Sequence, residues 1–201
     1  MGHSFGGIFV QQLVDRGLGA AGVLVSGGQT AGIPVLPLST IRVTLPVLGN
    51  PFTFNAAVPL TPKQFNYAFT NHLDAAESKK VYDELHIPGA ARILWEGALS
   101  LLNPNGPTKV NYRNNDRAPL LFIAAGIDHI IPPSVNQANV RKYAGSSAIT
   151  DYKEFPGRSH TTALQPGWEE VADYAIAWAS RHAKASGATP APAKHLKAVT
   201  A

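Results

Sequence analysis

Two short, uninterrupted apolar runs constrain the fold more than any other feature of the chain: 20–26 (Ala-Ala-Gly-Val-Leu-Val-Ser) and 119–125 (Pro-Leu-Leu-Phe-Ile-Ala-Ala). Each has strand length, lacks polar alternation and is closed by glycine, so each reads as a strand buried on both faces of a parallel sheet. A third, weaker candidate spans 150–155 and is closed by Pro156-Gly157. Helical patterns separate them. From Gly6 to Arg16, Phe9, Val10, Leu13 and Val14 recur at three-to-four spacing, and Gly17 stands where a left-handed cap is expected. Further helices are expected at 134–144 and at 167–183, the latter with Val171, Tyr174, Ala175 and Trp178 on one face. Strands alternating with helices imply an α/β architecture with about three parallel strands.

The stretch 29–117 has a different character. It holds nine of the sixteen prolines and no regular pattern up to Pro59. Thr61-Pro62 then gives an N-cap followed by proline at the first helical position, and helices are expected at 62–73, 75–86 and 90–102. This is the pattern of an inserted, mostly helical lid. It divides a partial α/β core at 1–28 and 118–185. The Ala/Pro/Lys-rich residues 186–201 have the composition of a disordered tail.

Chemistry concentrates at three places. In Gly2-His3-Ser4-Phe5-Gly6 small residues flank a serine directly before a helix, which permits a strained strand-to-helix turn that projects the hydroxyl. Alone, the run equally fits a glycine-rich helix start with a solvated serine. Asp128 follows the second strand candidate and His160 follows the third, so both sit at carboxyl ends of strands, where functional groups gather in open α/β sheets. An aspartate after Gly-Ile also fits a turn, and a histidine in a Gly/Ser-rich loop also fits plain surface. His129, next to Asp128, is a competing imidazole that geometry must include or exclude.

Taken together, Gly-His-Ser-Phe-Gly-Gly at the start, Phe-Ile-Ala-Ala-Gly-Ile-Asp-His-Ile-Ile-Pro-Pro around Asp128 and Phe-Pro-Gly-Arg-Ser-His around His160 resemble the α/β-hydrolase superfamily, in its lidded esterase and lipase-like branch. The resemblance covers about 1–28 and 118–183. It implies a serine hydrolase in which Ser4 is the nucleophile, Asp128 the orienting acid and His160 the base, with the Phe5 N–H as one oxyanion donor. It implies no cofactor and a small apolar acyl or ester substrate. Phe52, Phe54, Phe65, Phe69, Trp95 and Leu99 are candidates to line the acyl pocket, or else to form the lid's own core. The same triad also supports a haloperoxidase-like side reaction.

Composition narrows the alternatives. The chain has 201 residues, 45% of them hydrophobic and 15% charged, which suits one globular domain. Its net charge of +4 is accounted for by the basic residues from Arg181 onward, so a nucleic-acid face is not expected. There is no cysteine, which removes disulfides and thiolate chemistry, and no histidine pair has a convincing metal spacing. Pro34, Pro37, Arg42 and Pro46 interrupt the most apolar stretch, so no membrane span is expected, and a soluble, cytoplasmic protein is.

Only three residues precede Ser4. The resemblance places further strand-helix units and the second oxyanion donor before that serine, on the order of a hundred residues. Strand 20–26 is therefore expected to expose an unpaired apolar edge prone to self-association. Losing one oxyanion donor costs about 2.7–4 kcal/mol, so the chain is expected to be a poor enzyme. Two accounts stay open: a portion of a longer serine hydrolase, or a non-catalytic or partner-completed interaction module.

Overall fold

A computed structural model describes residues 1–183, and the tail expected at 186–201 lies outside the described residues. Four parallel strands form the central sheet: β1 (Gly2–His3), β2 (Gly22–Val25), β5 (Leu120–Ala125) and β6 (Thr150–Phe155), in that spatial order. Helix α1 (Gly6–Asp15) connects β1 to β2, α6 (Pro133–Lys142) connects β5 to β6, and α7 (Trp168–His182) follows β6. Register aligns Gly2 with Leu24, Val25 with Ile123, and Ala125 with Phe155, so the strand ends lie side by side.

The two central strands are buried along their whole length because both faces are covered. On one face Leu24, Leu120 and Phe122 pack with Val10 and Val14 of α1 and with Tyr143. On the other, Val23, Val25, Leu121 and Ile123 pack with Phe155 and with Val171, Ala175 and Trp178 of α7. Alternate residues of one apolar run thus serve two cores.

Helix α1 ends as its glycine demands. Gly17 adopts φ +75°, Leu18 N–H donates to Leu13 O, and Gly17 N–H donates to Val14 O. Two findings differ from the sequence expectation for the sheet. It has four strands rather than about three, and β2 is not an edge, because Gly2 and His3 pair with Leu24 and Val25. Among the described residues the edge strands are β1 on that side and β6 on the other.

The segment 29–117 is mostly helical, and it contains one helix that the sequence pattern hides. Helix α2 (Leu38–Leu48) starts directly after Pro37 and carries Pro46 within its last turn. Pro37 stands at the N-cap, where the missing N–H has no helical partner to lose, whereas Pro46 lies inside the last turn and cannot donate to the carbonyl four residues back, so the helix runs through a proline that looks like a break. The others are α3 (Pro62–Ala68), α4 (Ala75–Leu85) and α5 (Ala91–Leu102), while β3 (Ala57–Val58) and β4 (Gly89–Ala90) form a small antiparallel pair. Capping boxes at Thr61/Gln64 and Asp74/Glu77 start α3 and α4. Helix α3 stops at Ala68, short of the expected 73, where Asn66 Nδ2 donates to the Thr70 and Leu73 carbonyls in the turn leading to Asp74. No helix among the described residues is long and apolar enough to cross a membrane.

Candidate active site

Ser4 sits between the end of β1 and the start of α1 with φ +54°, a left-handed conformation that costs a non-glycine residue about 1–3 kcal/mol. Surrounding hydrogen bonds hold it there. Ser4 N–H donates to Val25 O, and Ser4 O accepts from both Gly7 N–H and Gly28 N–H, each at 3.0 Å. Glycines make the turn fit. A Cβ on Gly2 would lie 2.3 Å from Gly6 O, and one on Gly7 would lie 2.7 Å from Gly27 Cα. A Cβ on Gly6, by contrast, would meet nothing within 4 Å. The close approach therefore needs Gly2 and Gly7 rather than Gly2 and Gly6.

The three side chains singled out in the sequence meet at the carboxyl end of the sheet. His160 Nε2 lies 2.9 Å from Ser4 Oγ, and His160 Nδ1 lies 2.7 Å from Asp128 Oδ2. His160 is 1% exposed and Asp128 2%. The other carboxylate oxygen, Oδ1, accepts from the amides of Ile130 and Ile131 at 2.8 and 2.9 Å. Burial by itself raises the Asp128 pKa, but the hydrogen bond and charge of His160 and the two amides outweigh it and hold the carboxyl below its ordinary value. An ionised Asp128 can only accept, so the proton of neutral His160 resides on Nδ1, and Nε2 is left to accept from the Ser4 hydroxyl.

His129 does not compete. Its Nδ1 is 2.8 Å from Tyr67 O, and its ring stacks on Tyr67 at 4.3 Å, turned to a different partner. His3, which the sequence pattern passes over, does join the site: its Nε2–H donates to His160 O at 2.8 Å, and the two rings lie 4.7 Å apart. Phe5 opens the first turn of α1, and its N–H has no hydrogen-bond partner among the described residues.

Two cavities open onto Ser4. The larger, about 490 Å³, runs beneath α2, α3 and α4 and is lined by apolar side chains such as Val47, Phe65, Phe69 and Val81, together with Ser4 and His160. The smaller, about 130 Å³, is bounded by Phe5, Ile8, Leu36 and Leu101. Of the six aromatic and leucine candidates, Phe65 and Phe69 line the larger cavity and the other four do not line either. Phe52 is 92% and Leu99 60% exposed, while Trp95 pairs with Phe54 and donates to Thr53 Oγ1. A third cavity, about 530 Å³, is lined by Lys109, Tyr112, Arg113 and Lys142 and touches no residue of this site. Among the described residues no cluster of three or more His, Asp or Glu side chains is placed to hold a metal ion.

No family model matches the sequence, and no curated protein matches it. Solved structures do resemble it. The chain is similar to a monoacylglycerol lipase of Paleococcus ferrophilus, with 20% identity and a TM-score of 0.55 over 90% of this chain and 67% of that one. It is also similar to a soluble variant of monoglyceride lipase from Saccharomyces cerevisiae, solved with a substrate analogue, with 15% identity and a TM-score of 0.63 over 91% of this chain and 61% of that one. Polyneuridine aldehyde esterase matches with 16% identity and a TM-score of 0.53 over 89% of this chain and 70% of that one. The chain thus spans about two thirds of the length of the structures it matches. A mixed architecture with a parallel sheet, a serine at a strained strand-to-helix turn and likeness to esterases and lipases lead to one conclusion: the chain carries the α/β-hydrolase fold.

Proposed function

We propose that this protein is a serine hydrolase of apolar carboxylic esters, with Ser4 as nucleophile, His160 as general base and acid, and Asp128 as the group that orients the imidazole. The observation that carries the reading is the continuous line of hydrogen bonds from Asp128 through both nitrogens of His160 to Ser4 Oγ, at 2.7 and 2.9 Å. A hydroxyl is a weak nucleophile, and an adjacent base whose other nitrogen is anchored is what activates it.

The reaction follows from that line. As Ser4 Oγ attacks the acyl carbon, its proton passes to His160 Nε2, and Asp128 stabilises the imidazolium that forms. The Phe5 N–H, at the start of α1, donates to the developing oxyanion. Collapse returns the proton from Nε2 to the departing alkoxide and leaves Ser4 acylated. Water then attacks the acyl carbon as His160 takes its proton; the bond from that carbon to Ser4 Oγ breaks, His160 returns the proton to Oγ, and the carboxylic acid is released.

Helices α2 to α5 act as the lid, since they supply most of the apolar wall above Ser4. An activated ester, whose leaving group needs little protonation, is the appropriate first substrate. With p-nitrophenyl butyrate, hydrolysis above the buffer rate should vanish in Ser4→Ala. Equal rates for the two proteins would overturn the assignment.

A further inference from the structure

The two cavities meet at Ser4, but they are not equivalent with respect to the chemistry. Ser4, Thr44, Leu94 and Ile130 line both. His160 and Thr161 line only the larger one, of about 490 Å³, whereas Phe5 lines only the smaller one, of about 130 Å³. Resting on the serine-hydrolase reading above, this asymmetry tells which half of an ester belongs in which cavity.

In the acylation step the new bond joins Ser4 Oγ to the acyl carbon, and the bond that breaks joins that carbon to the alcohol oxygen. The departing oxygen carries the bond's electron pair and takes the proton held on His160 Nε2. It must therefore leave within hydrogen-bond reach of His160. The alcohol portion accordingly lies in the cavity that His160 lines, and the acyl portion lies on the other side, beside Phe5. We infer that the preferred substrate is an ester of a short acyl group with a bulky, apolar alcohol.

Size and polarity agree. Sites of about 300–1,000 Å³ hold drug-sized ligands, a range that contains the larger cavity and lies above the smaller. No Asp, Glu, Lys or Arg lines either cavity. Polar groups in the larger wall are already engaged: Thr161 Oγ1 donates to Phe69 O, Thr44 Oγ1 donates to Thr40 O, and His86 Nε2 accepts from Leu60 N–H. In the smaller wall, Thr40 Oγ1 donates to Ile130 O and Gln29 Nε2 donates to Val35 O. Most of what remains to meet a ligand is hydrocarbon, which favours an alkyl or cyclic alcohol over a glycosyl or charged one.

Octyl acetate and ethyl octanoate test the inference, because they are isomers of equal composition with the long chain on opposite sides of the ester. The 201-residue chain is compared with Ser4→Ala on both, with p-nitrophenyl acetate as a control. The expected result is Ser4-dependent hydrolysis with kcat/KM at least about tenfold higher for octyl acetate. Val81→Trp, which fills the larger cavity, should shrink the ratio of octyl acetate to ethyl acetate rates, and Gly97→Leu, which fills the smaller, should shrink the ratio of butyrate to acetate rates. Ser4-dependent activity with equal or faster hydrolysis of ethyl octanoate would overturn the inference and leave the hydrolase reading standing. Absence of Ser4-dependent hydrolysis of p-nitrophenyl acetate would remove the hydrolase reading and the inference with it.

Discussion

His160 Nε2 lies 2.9 Å from Ser4 Oγ, although 156 positions separate the two residues in the chain. The parallel sheet closes that distance by aligning the ends of β1 and β6 on one side, with Asp128 arriving from the end of β5 between them. Removing the acid should therefore disturb tautomer more than position. Asp128→Asn is expected to lower kcat by about 10⁴-fold with little change in KM, measured on an activated ester.

Gly6 and Gly7 are neighbours with opposite tolerance. Gly7→Ala would drive a methyl into the Gly27 backbone at 2.7 Å, where neither partner is a flexible side-chain end. Thermal unfolding should show a loss of about 1–3 kcal/mol. Gly6→Ala meets open space in the first turn of α1 and should be neutral or stabilising by about 0.5–1 kcal/mol.

Acid should unfold the protein partly through Asp128. Its carboxyl is held below the ordinary 3.8 in the folded state, so below that value the unfolded chain binds a proton that the folded chain resists. The stabilisation is complete above 3.8 and is lost as pH falls through the lower folded value. Melting temperature in Asp128→Asn should thus fall less steeply below about pH 4 than in the parent.

His3 reaches the site through the main chain, holding His160 O with Nε2–H at 2.8 Å. His3→Phe should reduce kcat by roughly three- to tenfold, the worth of one hydrogen bond, with KM nearly unchanged. His3→Gln keeps a donor of similar reach and should recover part of that loss. A purely steric role would make Phe the milder substitution.

The buried strands were legible because both faces of the sheet are covered: a short, β-branched apolar run such as Val23-Leu24-Val25, closed by glycine, suits a strand with no solvent face. Ser4, Asp128 and His160 were legible for a related reason, since each lies at the end of a strand or its following loop. Helix α2 was not, because Pro34, Pro37 and Pro46 look like breaks until their positions relative to the helix ends are known. The cavity wall was only partly readable. Phe65 and Phe69 face it, while Phe52, equally aromatic, points into solvent, a distinction set by how α2 to α5 pack together. His3 escaped notice because its partner is a backbone carbonyl 157 positions away.

The central claim is that Ser4 is an activated nucleophile. A fluorophosphonate probe, followed by peptide mass spectrometry, tests it directly, since such probes phosphonylate a serine that an adjacent base activates, with loss of fluoride. The modification is expected on the N-terminal peptide at Ser4, absent in Ser4→Ala and strongly reduced in His160→Ala. Labelling of the Ser4→Ala protein to the same extent, or a parent protein left unmodified, would contradict the account.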